Sequence, residues 1–244
     1  MIVIFTDLDG CLLDKNYSYK HAKSAIDFII NSNIPIVICS SKTRAEIEFL
    51  RKEIGIKDPF IVENGAAIFI PHSYFGFPYQ YSKVVGKYKV IELGTKYSII
   101  RRKLKEITEM SKCKIIGFGD MSTEELAIDC GLSLKIAKLA KKREYDEPFK
   151  ILDGKEENVI EAIKKCGLNY TKGDRYYHLI GNNNKGKAVE ILIELYKTKF
   201  GEIKTVALGS SINDLSMLEV VDTPFLVKDE KEWRKVIENI FKFL

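Results

Sequence analysis

Short apolar runs, almost unbroken by polar residues, recur at both ends of the chain, and stretches of helical periodicity separate them. Near the start the runs are 2–6 ("IVIFT"), 34–40 ("IPIVICS") and 59–71 ("PFIVENGAAIFIP"). Near the end they are 203–209 ("IKTVALG") and 223–227 ("TPFLV"). A strand with one wet face alternates apolar and polar residues, whereas a run that is apolar throughout has both faces covered. The cover is at hand. In 19–33 ("YKHAKSAIDFIINSN"), Ala22, Ala25, Ile26, Ile29 and Ile30 share one helical face. The segments 43–55, 184–201 and 229–244 are also amphipathic, the first closing on Gly55 as a C-cap. Such alternation specifies a parallel sheet with helices on both faces.

The middle of the chain breaks this rhythm. From 72–82 ("HSYFGFPYQYS") it carries Gly, Pro and aromatics, then a strand around "YKVIEL", a basic helix at 96–110 and two more helices. "EPFKIL", "LNYTK" and "RYYHLIG" read as strands that pair locally. The expected architecture is therefore α/β: a three-layer, Rossmann-like parallel-sheet core interrupted by an inserted α+β cap. Residues 1–75 and 183–244 would form the core, and 76–182 the cap.

Composition narrows the classes. At 45% hydrophobic and 30% charged residues the chain is globular rather than disordered. Lys and Arg total 39 against 34 Asp and Glu, and this small excess is dispersed, which argues against a nucleic-acid partner and suits an anionic small molecule. No run approaches the ~20 apolar residues that span a bilayer, and no leader pattern opens the chain, so no membrane partner and a cytoplasmic location are expected. The five cysteines include no CxxC pair, which disfavours both a disulfide framework and a zinc site. Abundant Ile, Lys and Glu are in keeping with a heat-adapted source. The oligomeric state, monomer or homodimer, stays open.

In open parallel sheets the chemistry gathers beyond the carboxyl ends of the strands. Here those ends deliver "DLDG", "SSK", "ENG" and "GSSIND", with "NNNKGK" opening a helix beside them. Asp7 and Asp9 are two residues apart and project to one side of an extended strand end. Two carboxylates that close need a cation or a shared proton, and a hard ion such as Mg²⁺ brings phosphate oxygens with it. Taken alone, "DLDG" could equally be a solvated turn. Ser40 and Ser41 supply donors for an anion, or merely cap a helix. Lys185 could neutralise a phosphate, and Asp214 could add an acid to a metal site or complement a helix dipole.

In order, "DLDG", "SSK", "KGKA" and "GSSIND" resemble the four motifs of the haloacid dehalogenase superfamily of phosphotransferases. Over nearly the whole chain, "SSKTRAEIEFLRKEIG", "PFIVENGAAIFIP", "LAKKREYDEPF" and "GDRYYHLIGNNNKGKA" resemble the mannosyl-3-phosphoglycerate phosphatase family. The resemblance implies a Mg²⁺-dependent phosphatase that converts mannosyl-3-phosphoglycerate to mannosylglycerate and phosphate. Asp7 would be the nucleophile forming an aspartyl-phosphate, and Asp9 the acid–base residue whose carbonyl also ligates the metal. Ser40, or Ser41 one position on, would bind phosphate, and Lys185 would offset its charge. Arg175 and the run Tyr176, Tyr177, His178 fall where the family contacts substrate; Glu147 in "YDEP" could accept from sugar hydroxyls, and Lys42 and Arg44 either face the anion site or are ordinary helix-surface charges. Metal ligands would be Asp7, Asp9, Asp214 and the residue at position 210. That last position departs from the pattern, because the family carries Asp where this chain has Ser210. Asp214 could supply the missing carboxylate, the metal could bind weakly, or catalysis could be impaired. The alternatives are therefore a related sugar-phosphate phosphatase or phosphomutase, or a protein that binds a sugar phosphate without turnover.

Overall fold

The computed structural model describes residues 1–173 and 175–242. In chain order its first half contains β1 (Ile2–Thr6), α1 (Lys23–Asn31), β2 (Ile36–Cys39), α2 (Arg44–Ile54), β3 (Phe60–Val62) and β4 (Ala67–Pro71). There follow β5 (Lys83–Val85), β6 (Tyr88–Glu92), α3 (Tyr97–Ser111), β7 (Lys114–Gly117), α4 (Thr123–Cys130), α5 (Leu134–Ala140) and β8 (Glu147–Asp153). The last part holds α6 (Glu156–Lys165), β9 (Asn169–Lys172), β10 (Tyr177–Ile180), α7 (Lys185–Phe200), β11 (Lys204–Gly209), α8 (Leu215–Leu218), β12 (Thr223–Leu226) and α9 (Glu230–Lys242).

Among the described residues one sheet has eight strands in the order β12-β11-β1-β2-β3-β4-β6-β5. The first five run parallel, with Ile4 opposite both Val206 and Ile36. Period-two alternation sends Ile4 to one face and Val3 and Phe5 to the other. Ile4 packs in a cluster with α1, α2 and α9, anchored by Trp233. Val3 and Phe5 pack with α7 and α8, around Leu192 and Tyr196. Helices thus cover both faces of the sheet, which explains why its strands are apolar throughout. The sheet forms the middle of the three layers the apolar runs implied.

A second sheet, β7-β8-β10-β9, is antiparallel. With α3 and α6 it encloses its own core around Ile100, Phe149 and Leu179. Strands β5 and β6, which the sequence reading placed beyond residue 75 in the cap, instead extend the core sheet, Ala67–Pro71 pairing with Tyr88–Glu92. The Asn-Gly turn is the cause. It folds β4 back antiparallel on β3 and leaves β4 an unpaired edge that the next hairpin fills. The inserted unit with its own sheet begins after Glu92.

Candidate active site

Strand β1 stops pairing at its carboxyl end, where Asp7 still donates its amide to the Leu208 carbonyl of β11 at 3.0 Å. Gly10, at φ +66°, then turns the chain away. This sets Asp7 at the sheet edge, 5% exposed. Lys185, the first residue of α7, is 1% exposed and reaches Asp7 Oδ1 at 2.9 Å and Asp214 Oδ1 at 2.5 Å. Asp214 is fully buried. Its other oxygen accepts the amides of Ser210 and Ser211 at 2.9 and 3.0 Å. Residues from three distant parts of the chain thus meet in one ionic cluster.

Two buried carboxylates against one ammonium leave a negative charge uncompensated. Burial, then the charge of Asp214, raises the Asp7 carboxyl above the usual carboxylate range, with Lys185 opposing. Burial would lower the Lys185 ammonium, but Asp214 and Asp7 together carry it well above its ordinary value. Asp9 behaves differently. Its side chain is 45% exposed and pairs with Lys42 Nζ at 2.9 Å, while its main-chain carbonyl accepts the Ser210 hydroxyl at 3.0 Å. Lys42 also lies 4.6 Å from the centre of the Tyr17 ring.

Above this floor is a cavity of about 670 Å³ between core and cap. Asp7, Asp9, Ser41, Lys42, Ser211 and Asn213 line it from the core; Arg143, Arg175, Tyr176 and His178 line it from the cap. Arg175 is held there by its guanidinium donating to the carbonyls of Asp129 and Cys130. His178, with 9% of its side chain exposed, turns Nδ1 to the buried Asp146 at 3.0 Å.

Three of the residues singled out from the sequence sit elsewhere. Ser40 is fully buried and accepts the Lys42 amide on Oγ at 3.3 Å, so Ser41, one residue on, is the serine at the cavity. The reason is the sheet, which Ser40 continues by donating its amide to the Ile61 carbonyl at 3.1 Å. Arg44 reaches across to Glu144 of the cap at 2.8 Å and to Glu48 of α2 at 3.5 Å, with no part in the cavity wall. Glu147 is buried inside the cap, where Tyr97 at 2.6 Å, Arg101 at 2.9 Å and the Gly119 amide at 2.8 Å occupy its oxygens. A carboxylate holding three donors has little left for a sugar hydroxyl.

The sequence reading passed over Glu63, Asn64, Arg143 and Asp146. Glu63 and Asn64 have φ of +47° and +58° in the turn after β3. Glu63 accepts the amides of Glu144, Tyr145 and Asp146 at 2.8–3.2 Å, fastening the cap's return segment to the core. Arg143 spans the same joint, donating to the Ser41 and Asp146 carbonyls, each at 2.8 Å. The available signal was the "ENG" triplet, whose left-handed backbone aims side chains out of a plain hairpin.

Gly65, at φ +82°, completes that turn, and a Cβ there would lie 2.0 Å from the Asn184 carbonyl oxygen. Any side chain would push the start of α7 away and carry Lys185 with it. Gly65→Ala is expected to lower turnover at this site by about a hundredfold and to destabilise the fold by about 1–3 kcal/mol. Steady-state kinetics with parallel thermal melts check both, and an unchanged rate would show that α7 can retreat without losing its lysine.

Residues 4–237 match the family described as haloacid dehalogenase-like hydrolase, and the chain belongs to that family. A phosphatase of Methanococcoides burtonii, named glucosyl-3-phosphoglycerate/mannosyl-3-phosphoglycerate phosphatase, is 50% identical over 229 residues, covering 93% of this chain and 84% of that protein. The mannosyl-3-phosphoglycerate phosphatase of Pyrococcus horikoshii is 41% identical over 238 residues, covering 98% and 94%. Among solved structures, Thermoplasma acidophilum 0175 superposes with a TM-score of 0.67 at 18% identity over the whole of both chains. A subclass IIB sugar phosphatase of the superfamily gives 0.66 at 16% identity, covering 99% of each. These last two agree in fold, confirming the α/β core with an inserted cap.

Proposed function

We propose that the chain is a phosphatase acting on glycosylated 3-phosphoglycerates, with mannosyl-3-phosphoglycerate as the leading substrate, which it hydrolyses to mannosylglycerate and phosphate. The observation that carries this reading is the buried Asp7–Lys185–Asp214 cluster, floored at a strand end and roofed by a cap whose wall presents Arg175 and His178. The names of the related phosphatases supply the substrate.

In this reading an Asp7 carboxylate oxygen attacks phosphorus, and the bond from phosphorus to the glycerate oxygen breaks. Asp9 gives its proton to that departing oxygen, then takes one from a water that attacks the phosphorus of the aspartyl-phosphate. Phosphate leaves and Asp7 returns to a carboxylate. Lys185 holds Asp7 in place and offsets charge on the phosphoryl group. The Ser41 hydroxyl stands at the cavity for a phosphoryl oxygen. Cap cations fit the glycerate carboxylate, since a guanidinium offers two parallel donors to two oxygens.

The donor set suits magnesium. Asp7 and the Asp9 carbonyl are hard oxygens, and the cluster carries one negative charge in excess; Asp214, whose oxygens already hold Lys185 and two amides, contributes that charge rather than a free oxygen. When bound, the ion would screen the nucleophile from the anionic substrate. Ser210 contributes no charge, and its hydroxyl is engaged by the Asp9 carbonyl. Ser210→Asp is expected to tighten Mg²⁺ by about tenfold, measured by calorimetric titration, because affinity at oxygen sites rises with ligand charge. Unchanged affinity would show that position 210 is not a ligand.

Phosphate release from mannosyl- and glucosyl-3-phosphoglycerate with added Mg²⁺ tests the function directly. Release of free phosphate from either is expected. An isomeric sugar phosphate would indicate a mutase, and binding without release a sensor. Failure with both substrates, on verified folded protein, would sink the reading.

A further inference from the structure

Four side chains form a continuous hydrogen-bonded line from the core cluster to the cap wall. Asn213, the residue before Asp214, donates Nδ2 to Asn64 Oδ1 at 3.1 Å. Asn64 Nδ2 donates to Asp146 Oδ2 at 2.6 Å. Asp146 in turn holds His178 Nδ1 at 3.0 and 3.1 Å from its two oxygens. The two ends of the line face the cavity, whereas Asn64 and Asp146 are 2% and 0% exposed and do not line it.

An ionised carboxylate only accepts, so Nδ1 carries the proton, and the role of the second ring nitrogen follows from that. Asp146 also accepts from Asn64 Nδ2 at 2.6 Å and lies 3.3 Å from the Arg143 guanidinium, two donors that favour its ionised form whatever the state of the ring. Nε2 lies toward Gly173, 3.6 Å from where a Cβ on that residue would sit, and both residues line the cavity. In the neutral ring Nε2 is then an acceptor, suited to a hydroxyl group.

We propose that Asn64 and Asp146 are positioning residues: they fix the tautomer and orientation of His178 and tie it to the loop carrying Asp214, so that His178 offers Nε2 to a hydroxyl of the bound glycoside. The ligand rests on the function proposed above; the orientation of His178 does not. Binding of the sugar against the cap and alignment of the core loop are thereby coupled through one buried amide. Asn64→Gly removes that amide while tolerating the left-handed φ of +58°.

The test has two arms. In ring ¹⁵N–¹H NMR of the full chain, the His178 signals are identified by their loss in His178→Gln, which is feasible with three histidines. At a pH where the ring is neutral, the wild type is expected to show the Nδ1–H tautomer, and Asn64→Gly to shift or broaden it. Asp146→Asn provides the same comparison if Asn64→Gly does not fold. The Nε2–H tautomer in the wild type, or an unmoved His178 signal in a folded variant, overturns the proposal. In kinetics, Asn64→Gly and His178→Gln should each raise KM for mannosyl-3-phosphoglycerate by about tenfold with kcat within about twofold. The double variant should be no worse than the worse single, and multiplicative losses would overturn the coupling. A wild type that releases no phosphate defeats the function proposed above, while the NMR arm still decides this one.

Discussion

Asp7→Asn is expected to lower turnover by about 10⁴-fold or more and to leave the fold at least as stable as the wild type. Asn keeps the shape of Asp and can still accept from the Lys185 ammonium through Oδ1. It cannot act as an anionic oxygen nucleophile, and neither Asp214 nor Asp9 is poised to take its place. Asp214 has one oxygen on Lys185 and the other on two backbone amides, while Asp9 is turned toward Lys42. Removing an essential nucleophile typically costs about 10⁴–10⁶ in rate, even where binding and orientation survive. Stability should move the other way. The Asp7 carboxylate is buried beside another of like charge, so a neutral amide relieves both desolvation and repulsion. The pair of readouts is phosphate release and thermal unfolding of the same preparation. Residual activity within a hundredfold of wild type would mean that Asp7 is not the attacking group, and a large fall in melting temperature would mean the loss is structural.

How much of this was legible beforehand differs between strands and side chains. The apolar runs forced a two-faced sheet, because a strand such as 36–39 has no polar side to show to water. They also placed Asp7 and the loop of Asp214 at the same sheet edge, since parallel neighbours share an end. What stayed hidden depended on orientation within a residue or two. "YDEP" offers two adjacent acids, and the sequence reading favoured Glu147. Successive residues at the start of a strand face opposite ways, so Glu147 turns into the cap while Asp146 turns to His178. The same parity separates Ser40 from Ser41. Arg44 follows the N-cap Thr43, and the Thr43–Glu46 capping box sets the helix phase that turns its guanidinium to Glu144 of the cap. The Asn-Gly turn was recognised as a turn, but nothing in the triplet reveals that its side chains reach a segment eighty residues away; that is a tertiary fact.

Lys185→Met should produce the largest loss of stability of any single change in the site, about 3–5 kcal/mol, together with a fall of about 10²–10³ in turnover. Met has nearly the length of Lys but no charge, so packing at the start of α7 is largely kept. What disappears is the only cation within 3 Å of Asp7 and Asp214 among the described residues, leaving two buried carboxylates facing each other. This origin of the loss can be separated from simple damage to the helix. If unpaired charge is the cause, adding Asp7→Asn to Lys185→Met removes half of the uncompensated charge and should recover much of the stability, a strongly non-additive result. Activity would fall further in the double variant, because the nucleophile is gone. If the lysine mattered mainly as a packed stem, the two changes would add, and Asp7→Asn would shift the stability of Lys185→Met by no more than it shifts that of the wild type. Denaturant unfolding of the four proteins in the cycle distinguishes the outcomes. The recovery also bears on why a chain would bury this cluster at all. Each acid makes the lysine necessary, and the lysine makes the acids tolerable, so the three can be buried together at a strand end with one acid more than the lysine neutralises.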